Sequence, residues 1–66
     1  MIKLSKLNNQ EFAVNSDLIE TIEQTPDTVI TMTTGNKYVV KETQEEIIRR
    51  IIQYKRKIYL VNEGEE

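Results

Sequence analysis

Side-chain catalysis needs a nucleophile, a base poised near neutral pH or a set of metal ligands, and this chain supplies almost none of them. It contains no histidine and no cysteine. The hydroxyl nucleophiles are Ser5, Ser16 and the threonines, with no imidazole to activate them. A lysine or a carboxylate could act in principle, but no motif supports it. Glu20 and Glu23 lie close enough in sequence to pair, yet they read better as a solvated strand edge. The two glycines, Gly35 in a hairpin turn and Gly64 near the end, make no phosphate-cradling loop. No catalytic, cofactor-binding or metal-ligating residues are therefore expected, and the chain should act by binding.

The elements that could present a binding surface must fit into 66 residues, enough for one domain. A domain of that size buries only about 60% of the surface its unfolded chain exposes. Disulfides are excluded, and a zinc site lacks its usual ligands, so self-association is the remaining route to extra stability. No stretch approaches the roughly 20 apolar residues of a membrane span. The start, Met1 to Lys6, alternates apolar and polar residues, unlike the continuous apolar run of a signal peptide. A cytoplasmic protein is the simplest expectation, and the net charge of −2 speaks against general nucleic-acid binding.

Along the chain, Ile2, Leu4 and Leu7 mark a first strand, Asn8-Asn9-Gln10 a turn, and Glu11 to Val14 the returning strand. Asn15-Ser16-Asp17 is a polar break. Residues 18–23 have apolar spacing that fits helix or strand, and their β-branched content favours strand. Thr25-Pro26-Asp27-Thr28 reads as a turn with proline second. Val29 to Thr33 pairs with Tyr38 to Val40 across a Gly35-Asn36 connection, the glycine supplying positive φ. Thr43 and Glu46 have capping-box spacing, and basic residues collect at Lys55, Arg56 and Lys57, so a helix is predicted over 44–58. The expected fold is α+β: a small antiparallel sheet of four to five strands followed by one amphipathic helix. Residues 1–60 form the domain and 61–66 an acidic, frayed tail.

On that helix Ile47, Ile51, Tyr54 and Ile58 share one side, while Ile48, Ile52 and Tyr59 form an adjacent strip. Together they cover an arc of roughly 160°, wider than the ~100° needed to seat a helix on a core, with only Lys55 interrupting it. Either the sheet curls round to cover both strips, or the second strip meets another chain, a copy of itself or a different protein. Arg49, Arg50, Arg56 and Lys57 form an opposite, basic face. It is either simply solvated or apposed to an acidic protein surface, anionic lipid headgroups or nucleic-acid phosphate. The candidate partner-binding residues are thus Ile48, Ile52, Tyr59, Arg49, Arg50, Arg56 and Lys57.

The order of these elements, with the stretches Met1-Ile2-Lys3-Leu4, Leu18-Ile19-Glu20-Thr21-Ile22-Glu23, Thr25-Pro26-Asp27-Thr28-Val29-Ile30-Thr31 and Thr33-Thr34-Gly35-Asn36-Lys37-Tyr38-Val39-Val40, resembles the FlbD/SwrD family of small flagellar proteins. The similarity runs from residue 1 to about 58, and its most specific part is the Thr-Pro-Asp-Thr-Val-Ile-Thr run leading into the Thr-Gly hairpin. Asn9 departs from it, where the family pattern leads one to expect glycine. The resemblance implies a non-enzymatic cytoplasmic protein that supports swarming motility, raising flagellar motor power through the stator units. A place at the inner face of the cell membrane near the flagellar motors is expected with it, and the basic helix face suits peripheral contact with that membrane. The resemblance carries over no functional residues. The stretch from Leu18 to Ile52 is also loosely similar to LytTR-type DNA-binding domains, which leaves a small nucleic-acid-binding regulator as the alternative.

Overall fold

Ile2 and Leu4 alternate with Lys3 and Ser5, and they become the buried face of strand β1 (Ile2–Ser5). The computed structural model describes the backbone of residues 1–64 and the side chains of residues 1–58. β1 pairs antiparallel with β2 (Glu11–Val14), setting Ile2 opposite Val14 and Leu4 opposite Phe12 so that all four turn to one side. A 3-10 turn, Ser16–Leu18, follows, capped where the Asp17 N–H donates to Asn15 Oδ1 at 3.0 Å. Strands β3 (Ile19–Gln24), β4 (Thr28–Met32) and β5 (Lys37–Val40) then form a second antiparallel sheet in the order β3-β4-β5. The five strands are thus divided between two sheets instead of forming the single sheet expected. The sheets touch at a corner, where Lys6 bridges Val40 and the Lys41 N–H donates to the Ser5 carbonyl at 2.9 Å.

Residues 18–23 were ambiguous because Ile19 and Ile22 sit three apart, a helical spacing. The register of β3 against β4 slips between Ile19 and Thr21, leaving Glu20 as an extra residue. That bulge turns Ile19 and Ile22 to the same side, where both pack on the core. β3 connects to β4 through Thr25-Pro26-Asp27, with Gln24 paired to Thr28.

The two hairpins close alike. In β4–β5 the Gly35 N–H donates to the Met32 carbonyl at 2.8 Å, and the Met32 N–H to the Asn36 carbonyl at 2.8 Å, with Gly35 at φ +96°. The connection is therefore a four-residue turn ending in a left-handed residue, longer than the two-residue Gly35-Asn36 link predicted. In β1–β2 the Asn9 N–H donates to Lys6 and the Lys6 N–H to Gln10, both at 2.9 Å, and Asn9 has φ +72°. Asn9 occupies the position that Gly35 holds in the other hairpin, which explains why glycine is the residue expected there. Leu7, predicted within the first strand, falls in this loop and is exposed, because β1 ends at Ser5.

Helix α1 (Gln44–Gly64) contacts β1 and β3. Thr43 caps it, its hydroxyl accepting the Glu46 N–H at 3.1 Å, but the reciprocal half of the capping box does not form: the Glu46 carboxylate turns to Arg49 and Arg50 instead. The first-turn N–H of Gln44 donates to Gln24 Oε1 of β3 at 2.6 Å. The helix runs on to Gly64 where an end at 58 was expected, and Glu65 and Glu66 of the predicted tail lie outside the described residues. Its contribution to the core is Ile47, fully buried with Leu4 and Ile30 among Ile2, Val14, Met32 and Val40.

Candidate functional site

The surface of α1 is decided by how much of it two small sheets can cover. Ile47 is buried, and Ile51 and Tyr54 pack partly buried against the core. Ile58 is in phase with them yet 41% exposed, so the sheets end before the helix reaches its fourth turn. The molecule measures 44 × 23 × 19 Å, and the later turns of α1 project beyond the sheets. The second strip is open as well, with Ile48 43% and Ile52 53% exposed. Tyr59, predicted to extend that strip, has its side chain outside the described residues. Of the two readings of the strip, coverage by the curled sheet therefore fails at Ile48 and Ile52. Lys55, which interrupts the apolar arc, reaches Asp17 of the 3-10 turn at 3.4 Å.

The basic face separates into two kinds of residue. Arg50 is a structural clamp: its guanidinium donates to the Lys3 carbonyl of β1 at 2.6 Å and to Glu46 at 3.1 Å, and lies 3.5 Å from Glu42. Glu42 is mostly buried and accepts the Ser5 N–H at 2.9 Å. Burial pushes its carboxyl upward, but the Ser5 and Glu42 N–H groups, the Ser5 side chain and the Arg50 guanidinium outweigh this and hold it below the ordinary carboxylate range. The segment after β5 is thereby fastened to β1 and α1 together. Arg49 points outward and, among the described residues, pairs with Glu46 alone, at 2.8 Å. Arg56 and Lys57 are exposed and pair with no acid among the described residues. Four cations adjacent in sequence pattern thus reduce to two whose charge is open to a partner.

Sequence reasoning missed the Glu42–Arg50 clamp, because Glu42 precedes the helix and its partners are fixed only when β1 comes alongside. It also missed a shallow open cleft of about 370 Å³ between the first hairpin loop and β5, lined by Lys6, Leu7, Asn8, Lys37, Tyr38 and Val39. The signal that could have found it is Leu7, an apolar residue out of step with Ile2 and Leu4. Neither feature brings together the groups that acid–base or nucleophilic chemistry requires. Among the described residues no cluster of acidic side chains is suited to a metal ion, and no helix is long and apolar enough to cross a membrane.

Comparison with known families decides the setting. A family model described as FlbD, flagellar and swarming motility proteins, matches residues 1–59. The chain belongs to this family. No curated protein and no solved structure matches it. The FlbD match spans both sheets and the helix as far as Tyr59, so it includes the exposed strip, the clamp and the basic pair. Membership gives the chain a role in flagellar and swarming motility, and α1 presents the exposed apolar residues Ile48, Ile52 and Ile58.

Proposed function

We propose that this FlbD-family chain is a non-enzymatic accessory protein of the flagellum, which raises motor power during swarming by binding a stator unit on the cytoplasmic face of the membrane. The observation that carries the reading is the projecting part of α1, where Arg56, Lys57 and Ile58 are all exposed beyond the last turn that packs on the core. Two exposed cations and an exposed apolar residue, on neighbouring sides of a helix held clear of the sheets, suit an acidic protein surface. The absence of histidine and cysteine supports a binding role over a catalytic one.

The test is photo-cross-linking from position 57 in swarming cells, with the protein at its native level. A stator subunit is the expected product, and Lys57→Glu should reduce both the cross-link at a neighbouring position and the torque of tethered motors. Cross-links that consistently omit the stator, in cells whose swarming depends on the protein, refute the reading.

A further inference from the structure

The open strip on α1 has a charge pattern that fits one partner: a second copy of the same helix running the opposite way. We infer that two copies pair through Ile48 and Ile52 in an antiparallel arrangement, with Glu45 of each facing Arg56 of the other. Ile48 and Ile52 are both about half exposed, one turn apart, and project to the same side. Glu45 and Arg56 are exposed too. They are eleven positions apart, which at 100° per residue brings them within about 20° of each other around the axis. Both then lie some 50° to the same side of the strip's midline.

A two-fold axis between antiparallel helices sets each flank against its own copy, so same-flank residues meet. Residues whose midpoint coincides with the axis come face to face. The midpoint of Ile48 and Ile52 is position 50, and that of Glu45 and Arg56 is 50.5, a difference of about 0.75 Å along the helix. A single register therefore sets isoleucine against isoleucine and glutamate against arginine, twice over by symmetry. A parallel pair in register would instead set each flank against the opposite one, so that Glu45 and Arg56, eleven positions apart on the same flank, would not meet. On the other flank Lys55 is already engaged by Asp17 of its own chain, which removes a cation that would otherwise sit beside the seam. Lys57 and Ile58 lie roughly 100° or more from the midline and stay uncovered. Arg56 is shared with the stator-facing patch, but self-association of the purified chain is read with no stator present, so its failure is distinguishable from a failure of that reading.

The strip is small beside the ~800 Å² per partner of a standard interface, so the association should be weak, with dissociation on the order of 100 μM. Sedimentation equilibrium on the purified chain across a wide concentration range measures it. The parent should show reversible dimers, and Ile52→Asp should raise the dissociation constant at least tenfold while the far-UV circular dichroism stays unchanged. Glu45→Arg and Arg56→Glu should each weaken self-association about tenfold, since each turns two attractive contacts into repulsive ones. An equimolar mixture of those two variants should recover affinity to within about threefold of the parent, because every flank contact becomes complementary again. A chain that stays monomeric at millimolar concentration overturns the inference. So does undiminished association in Ile52→Asp, or a mixture no tighter than its components.

Discussion

Replacing Glu42 by glutamine tests whether one carboxylate fastens the two sheets and the helix together. The glutamine amide keeps an oxygen for the Ser5 N–H, now 2.9 Å from Glu42 Oε1, but removes the charge that faces Arg50 at 3.5 Å. Turning a charge-assisted hydrogen bond into a neutral one costs about 1 kcal/mol. The pair with Arg50 adds a few tenths to about 1 kcal/mol, held down because that guanidinium is 37% exposed and screened by solvent. Glu42→Gln should therefore cost about 1–2 kcal/mol, and Glu42→Ala about 2–4 kcal/mol, since it leaves the Ser5 N–H without its acceptor. A chain of this length has roughly 3–10 kcal/mol of total stability, so the alanine variant loses a large share of it and should unfold at a clearly lower urea concentration. The pH dependence supplies an internal control. The folded carboxyl titrates below its reference value of 4.5, so its stabilisation is complete above that pH and is lost as pH falls through the lower folded value. Urea titrations followed by circular dichroism should accordingly show the full gap between parent and Glu42→Gln at neutral pH. The gap should close well below 4.5, where both side chains are neutral. A glutamine variant as stable as the parent at pH 7, or a gap unchanged in acid, would refute the clamp.

Consecutive arginines should behave differently: Arg49→Ala is expected to leave the melting temperature within a degree or two, whereas Arg50→Ala, which loses the bonds to Lys3, Glu46 and Glu42, should cost about 1–3 kcal/mol by chemical denaturation. Gly35→Ala should cost about 1–2 kcal/mol even though a β-carbon there meets nothing within 4 Å, because the penalty lies in the positive φ alone. Asn9→Gly should be neutral or stabilising by up to about 1 kcal/mol and Asn9→Ala destabilising, both read from the same unfolding curves. On the helix, Ile47→Ala should cost about 2–5 kcal/mol as a core truncation, while Ile48→Ala should barely alter the unfolding of dilute protein.

Local rules sufficed for much of this molecule. The alternation of Ile2 and Leu4 with polar neighbours, the β-branched run from Val29 to Thr31 and the Thr43–Glu46 spacing placed the strands and the start of the helix, because each is a property of residues near in sequence. The two strips of α1 were legible for the same reason, since helical periodicity fixes which side chains share a face. The family setting was also readable from the order of the motifs along the chain. What sequence alone left undecided depended on residues far apart. Whether Ile48 and Ile52 are covered is set by the width of two small sheets that join at the Lys6–Val40 corner. The fate of Arg50 is set by a β1 carbonyl 47 positions away. The bulge at Glu20, which brings Ile19 and Ile22 to one face, follows from pairing with β4 and not from any preference of the β3 residues. Sequence determined which surfaces the helix could offer; tertiary packing, by being too small to cover them all, decided which remain open.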